Sequence, residues 1–168
     1  LDVADFKAAP KSNIVLVLDN IRSRNNVGAI FRTADAFRIE EIVLCGITPT
    51  PPHKDIHKTA LGATESVSWR YAKFAVETVQ ELRKSGAYSY AVEQVQGATF
   101  LDEVTINPNQ KVVLVLGNEV QGVSQETIDV CDAAVEIPQL GTKHSLNVAT
   151  SAGVVLWHFF VQLRPSAN

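Results

Sequence analysis

The chain is poor in several features that define whole classes of proteins. Its 168 residues contain two cysteines, Cys45 and Cys131, without a CxxC spacing, so we expect no disulfide framework and a reducing, cytoplasmic location. No N-terminal signal sequence is visible. The most apolar run, residues 152–163, is shorter than the ~20 residues of a membrane span, so no membrane association is expected. Methionine is absent altogether, the initiator included, which leaves room for a segment before Leu1.

Excess positive charge is also missing. The formal net charge is −3, with 46% hydrophobic and 20% charged residues. This composition is typical of a globular protein, and the net charge argues against one that binds nucleic acid through bulk positive charge. A local basic surface stays possible, because several Arg and Lys residues flank the segments discussed below.

The hydrophobic pattern predicts an α/β fold. Unbroken apolar runs at 14–19 and 112–117 are typical of strands buried on both faces of a parallel sheet. Further strands are predicted at 42–45, 66–72, 88–93 and 133–138, and helices at 27–38, 53–61, 75–86, 124–131 and 145–164. We therefore expect one domain, in which helices cover both faces of a mainly parallel sheet.

Polar residues gather where three of these strands end, and ligands of such sheets bind at that edge. After the first strand, Asn26 is a plausible helix N-cap, followed by Gly28 and Arg32. Gly28 lowers helix stability unless something approaches its backbone closely. A capped helix with a surface arginine explains this segment about as well as a binding site does.

The second segment, LGNEVQGVS at 116–124, places Asn118 and Glu119 between two glycines after a buried strand. It matches neither GxGxxG nor GxxxxGK[ST], so the dinucleotide and P-loop interpretations do not apply. An ordinary strand-to-helix turn would explain it equally well.

The third segment, GTKHSLNVATSAGVVLWHFF at 141–160, begins an apolar helix with polar residues. Ser145 can cap that helix, but a cap does not explain Asn147, which would need partners in a buried first turn.

A separate polar cluster contains two histidines, His53 and His57, which lie four residues apart. Lys54 stands where a metalloprotease motif has glutamate, so we expect no metal site there and favour a surface for an anionic partner.

Taken together, the segments NVGAIFRTA, LGNEVQG and IPQLGTKHSLNVAT resemble the three motifs of the SpoU/TrmH-type branch of the SPOUT superfamily of RNA methyltransferases. The resemblance covers residues 14–163. It implies a SPOUT domain over 14–168 after an N-terminal extension at 1–13, with a deep C-terminal trefoil knot. It also implies a homodimer whose active site lies near the dimer interface, with S-adenosylmethionine as methyl donor and a ribose 2′-hydroxyl as acceptor.

The resemblance also implies the site residues. The catalytic set would be Asn26, Arg32, Glu119, Ser145 and Asn147. The cofactor would be lined by Leu116, Gly117, Asn118, Gly122, Ile137, Leu140, Ser145 and Leu146, and RNA would be bound by Arg22, Arg24, Arg32, Lys54 and Lys58. Because a guanidinium normally stays protonated, we expect Arg32 to hold a phosphate and act electrostatically rather than as a base.

The RNA substrate is less determined. The GTKHSLN form of the third motif favours guanosine ribose in tRNA, whereas ribosomal RNA and the tRNA wobble position stay open as alternatives. A non-catalytic RNA-binding protein of the same fold is a further alternative, although all five motif residues are present. A nucleotide-dependent oxidoreductase lacks its glycine fingerprint.

Overall fold

The computed structural model describes residues 1–143 and 145–164. The strands are β1 Ser12–Asp19, β2 Ile39–Cys45, β3 Trp69–Ala72, β4 Tyr88–Val92, β5 Thr99–Phe100, β6 Val112–Gly117 and β7 Ala133–Glu136. The helices are α1 Val3–Ala8, α2 Arg24–Ala36, α3 Lys54–Ala60, α4 Ala63–Ser66, α5 Ala75–Lys84, α6 Gln125–Val130 and α7 Val148–Leu163, with a 3₁₀ turn at Leu101–Glu103.

Within the described residues the strands form a single sheet in the order β3-β2-β1-β6-β4-β7-β5, and all pairs are parallel. The predicted α/β class with a parallel sheet is therefore confirmed. Because the strands are parallel, their carboxyl ends share one edge, where Asp19 lies level with both Cys45 and Gly117.

Helices cover both faces of the sheet, as predicted. Alternate residues of β1 enter two separate hydrophobic clusters. Ile14, Leu16 and Leu18 pack with α2, α3 and α7 on one face, and Val15 and Val17 pack with α5 and α6 on the other. This double burial explains why β1 and β6 read as continuous apolar runs rather than alternating ones.

Several elements differ from the prediction, among them the short elements β5 and α4, which were not predicted. Helix α1 lies within the predicted N-terminal extension and was not predicted, and its Phe6 is buried in the core. Strand β1 begins at Ser12, before the predicted domain boundary. The predicted strand at 66–72 starts only at Trp69, because Ser66 ends α4, where its hydroxyl donates to the Asp35 carboxylate and to Ala63 O.

Strand order alone does not trace the threading of the chain, so the trefoil knot stays a prediction. Within the part of the chain that the structure describes, none of the helices combines the length and apolar character required to span a bilayer.

Candidate active site

A cleft of about 520 Å³ opens at the carboxyl edge of the sheet, between the ends of β4, β6 and β7 and the start of α7. Of the residues predicted to line the cofactor, all but Leu140 border it: Leu116, Gly117, Asn118, Gly122, Ile137, Ser145 and Leu146. Leu140 is fully exposed outside the cleft, so the structure does not support a lining role for it.

The turn after β6 forms one wall of the cleft and is tightly closed. Asn118 and Gly122 exchange backbone hydrogen bonds of 3.0 and 2.8 Å, and Asn118 Oδ1 accepts from Val120 N and Gln121 N. A Cβ on Gly117 would lie 2.1 Å from Val123 N. Glycine is therefore required at 117 because the turn folds back onto its own backbone.

Glu119 ties this turn to the loop that precedes α2. Its carboxylate accepts from Arg22 N at 2.9 Å, from Ser23 N at 3.0 Å and from Asn26 Nδ2 at 3.2 Å. Partial burial raises the pKa of Glu119, but these hydrogen bonds outweigh burial, so the pKa is lowered overall. Glu119 is thus a fixed anion that holds two segments together.

Asn26 and Asn147 connect the other two motifs. Asn147 Nδ2 donates to Asn26 Oδ1 at 3.2 Å, while the Asn26 amide donates to Glu119. A continuous line of hydrogen bonds therefore joins Glu119, Asn26 and Asn147, one residue from each motif. The structure therefore brings the three segments together, as expected.

Both capping predictions were wrong. Ser23, not Asn26, is the N-cap of α2, and its Oγ accepts from Asn26 N at 3.1 Å. The N-cap of α7 is Asn147, whose Oδ1 accepts from Ala149 N and Thr150 N at 2.9 and 3.2 Å, so Ser145 lies before the helix. Asn147 is exposed rather than buried, and capping together with Asn26 supplies the partners that it needs.

Ser145 and Leu146 border the cleft from the segment before α7, and both are exposed. The neighbouring His144 lies outside the described residues.

Arg32 is not at the cleft. It is exposed and borders a separate groove formed with α1 and α4, beside Asp35 and Arg38. Six residues of helix place Arg32 about 9 Å along the axis from Asn26 and on a different face. Within one chain the structure therefore does not bring Arg32 together with the other four predicted catalytic residues.

The other predicted RNA-binding residues are exposed. Arg22 and Arg24 lie at the start of α2, and Lys54 and Lys58 lie on α3. The two helices pack closely because Gly28 has no side chain: a Cβ there would lie 2.2 Å from Ile56 O. The close approach that the sequence predicts at Gly28 is thus made by another helix.

His53 has a structural role that the sequence did not reveal. It is the N-cap of α3, and its Nδ1 accepts from Asp55 N at 3.1 Å. Among residues 1–143 and 145–164, no three or more His, Cys, Asp or Glu side chains are grouped so that they could hold a metal ion.

The cleft also contains residues that the motifs did not point to. Glu93 and Gln94 follow β4, and Glu136 ends β7. Glu93 Oε2 accepts from Val123 N at 2.9 Å, so this carboxylate supports the turn after β6. The placement rule for parallel sheets could have found Glu93, since it is the last residue of the strand predicted at 88–93.

The chain is an α/β protein with a cleft at the carboxyl edge of a parallel sheet, which is where such folds bind their ligands. Residues 13–157 match the model of the SpoU rRNA Methylase family, and the chain belongs to that family. The resemblance inferred from the three motifs is therefore confirmed.

Relatives named for rRNA modification are among the most similar proteins. The chain is 34% identical over 89% of its length to the 23S rRNA (guanosine-2′-O-)-methyltransferase RlmB of Nitrosomonas europaea, and 32% identical over 85% to that of Neisseria meningitidis. It spans 56% of the length of each of these two relatives. The crystal structure of an AdoMet-bound rRNA methyltransferase from Sinorhizobium meliloti matches with a TM-score of 0.83 and 28% identity, over 95% of this chain and 61% of that one.

Proposed function

We propose that the protein transfers a methyl group from S-adenosylmethionine to the 2′-hydroxyl of a guanosine ribose in ribosomal RNA. The observation that carries this proposal is the hydrogen-bonded line from Glu119 through Asn26 to Asn147, whose two end residues border the cleft. The sequence favoured tRNA, and the relatives do not support that preference, since those at 34% and 32% identity are named for 23S rRNA. Ribosomal RNA, which the sequence left open as an alternative substrate, fits these relatives better.

The cleft suits the proposed methyl donor. Its volume of about 520 Å³ lies in the range of small-molecule sites. Leu116, Ile137 and Leu146 offer apolar contacts, and the Glu93 and Glu136 side chains border the same space, where carboxylates favour a cationic sulfonium. The AdoMet-bound relative supports the same cofactor. When bound, S-adenosylmethionine supplies an activated methyl group for attack by an oxygen.

The chain itself supplies orientation. Asn26 and Asn147 fix each other's amides, and Ser145 borders the cleft beside them. This arrangement can hold a ribose hydroxyl in line with the methyl group, which is the main requirement of such a transfer. Glu119 is poorly suited to accept the proton, because its oxygens already accept from two backbone N–H groups and one amide.

Arg32 has a different role in this proposal. Because it lies away from the cleft of its own chain, it acts on the RNA phosphate or reaches the site of a second copy. In both cases its contribution is electrostatic.

A homodimer is part of the proposal. On α7, Val154, Trp157 and Val161 are exposed, and the Phe37 ring lies 6.0 Å from that of Trp157. An apolar helix face of this kind is a suitable interface for a second copy. Trp157→Glu should therefore halve the mass measured by sedimentation, whereas an unchanged mass would contradict this interface.

Methyl transfer tests the proposed function. Labelled S-adenosylmethionine is incubated with unmodified ribosomal RNA and, separately, with tRNA, and the RNA is digested to nucleosides. Label in 2′-O-methylguanosine from ribosomal RNA alone is the expected result, and Asn26→Ala should abolish it. Label from tRNA alone would overturn the substrate. The absence of both cofactor binding and methyl transfer would favour the non-catalytic RNA-binding alternative. The predicted cytoplasmic location stays a prediction.

A further inference from the structure

An exposed apolar patch lies on the same edge of the sheet as the cleft but outside it. Ile47 is 65% exposed, Tyr71 51% and Phe74 52%. These residues follow or end β2 and β3, at the side of the sheet opposite to β7. None of them has a role in the site described above. Such a group of exposed large side chains is a candidate binding surface.

Hydrogen bonds connect this patch to the cleft. Asn118 Nδ2 donates to Asn20 O at 2.8 Å, and Asn20 Oδ1 accepts from Ile47 N at 2.9 Å. Tyr71 then donates from its hydroxyl to Gly46 O at 3.0 Å. The loops after β6, β1, β2 and β3 thus form one connected row. Three strand spacings separate β6 from β3, or about 14 Å, so a ligand that enters the cleft can extend along the row.

The chemistry of the patch suits nucleic acid. The patch has two exposed aromatic rings, and one of them lies beside a cation: Lys73 Nζ is 5.4 Å from the centre of the Phe74 ring. Arg22, also exposed, lies on the row between the patch and the cleft. One exposed carboxylate, Glu77, lies in the first turn of α5. Aromatic rings next to cations bind unpaired bases by stacking while the cations neutralise the phosphates.

We propose that Tyr71 and Phe74, with Lys73, form a stacking site for unpaired bases that neighbour the target nucleotide in the substrate RNA. The site would select RNA whose target lies in a single-stranded loop, because paired bases cannot stack on a protein ring. This inference rests on the proposed function, since it takes RNA as the ligand of the cleft.

The test compares two fluorescein-labelled probes at low salt: a short oligoadenylate, and a ribose-phosphate chain of equal length without bases. The variants are Tyr71→Leu and Phe74→Leu, which keep apolar bulk but remove the aromatic ring. Phe100→Leu is the matched control, because Phe100 is an exposed aromatic residue on β5 at the opposite edge. S-adenosylmethionine affinity and thermal unfolding verify that each variant keeps its cleft and its fold.

We expect the wild type to prefer oligoadenylate. Each leucine variant should bind it about tenfold more weakly, with no change for the base-free chain, and Phe100→Leu should behave as the wild type. Equal binding of both probes by the wild type would overturn the stacking site even if methyl transfer is observed. A change of sedimentation mass in the leucine variants, with unchanged RNA binding, would instead assign the patch to contacts between copies. Base preference without methyl transfer would contradict the proposed function alone.

Discussion

The first turn and the later turns of α2 place residues of one sequence motif on different surfaces. In the first turn, Asn26 donates to Glu119 and accepts from Asn147 at the lip of the cleft. Further along, Arg32 is exposed at a groove beside α1 and α4, and its side chain forms no hydrogen bond or ion pair with the described residues. Asn26 is held in place by the protein, whereas the exposed Arg32 is available for a ligand.

This difference shows that closeness in sequence and closeness at a site are separate properties. Asn26 and Glu119 are 93 residues apart and in direct contact. Asn26 and Arg32 are six residues apart, but a helix turns by about 100° per residue, which directs their side chains to different faces. The following predictions test whether the cleft side is rigid and whether Arg32 is independent of it.

The largest effect is expected for Gly117→Ala. The added Cβ would lie 2.1 Å from Val123 N and 2.2 Å from Gly122 C, so the turn that walls the cleft must move. We expect the loss of measurable S-adenosylmethionine binding in calorimetry and a fall of about 1–3 kcal/mol in the free energy of unfolding. Gly141→Ala is the control, since among the described residues no atom beyond its two chain neighbours lies within 4 Å of its Cβ position. Unchanged cofactor affinity in Gly117→Ala would show that the cleft side is not rigid.

The Arg32→Ala variant tests whether Arg32 acts independently of the cleft. We expect methyl transfer to fall about 100-fold, as for the loss of one electrostatic contact in a transition state. The free energy of unfolding should change by less than about 0.5 kcal/mol, and cofactor affinity should stay at the wild-type value. Arg32→Lys keeps the charge but loses the planar fork, so partial activity is expected. If cofactor affinity is lost together with methyl transfer, Arg32 is not independent of the cleft.

The sequence was sufficient to predict a parallel sheet and to select the three polar segments at its edge. The run at 112–117 is strand β6 residue for residue, because a strand buried on both faces is apolar throughout. The three motifs also meet, since the carboxyl ends of parallel strands share one edge.

Details that depend on tertiary contacts were not accessible from the sequence. Ser23 and Asn147 cap the helices that Asn26 and Ser145 were expected to cap. The sequence does not distinguish them, because serine and asparagine are both good N-caps. Helix α1 is too short for its apolar pattern to be recognised, and only the burial of Phe6 reveals its role. The position of Arg32 depends on where α2 begins, which sequence periodicity does not fix.

Asn147→Ser tests the link between Asn26 and Asn147 apart from helix capping. Serine can still cap α7, so the free energy of unfolding should change by less than about 0.5 kcal/mol. It cannot donate as the amide does to Asn26 Oδ1, and we expect methyl transfer to fall about tenfold, equivalent to one lost hydrogen bond. Asn147→Ala, which removes both functions, should also destabilise the protein by about 1 kcal/mol. Full activity in Asn147→Ser would assign Asn147 to capping alone.

The smallest effect is expected for Glu119→Gln, and it depends on pH. Because the pKa of Glu119 is lowered in the folded protein from its usual value of 4.5, its carboxylate stabilises the fold above that pH, and this contribution is lost as the pH falls through the lowered pKa. The variant should be less stable than the wild type by about 1 kcal/mol at neutral pH, and the difference should vanish in acid. Glu103→Gln is the control, since Glu103 is exposed and its carboxylate accepts no hydrogen bond within the described residues. A difference for Glu119→Gln that does not depend on pH would mean that the shape of the side chain, rather than its charge, holds the start of α2 against the cleft.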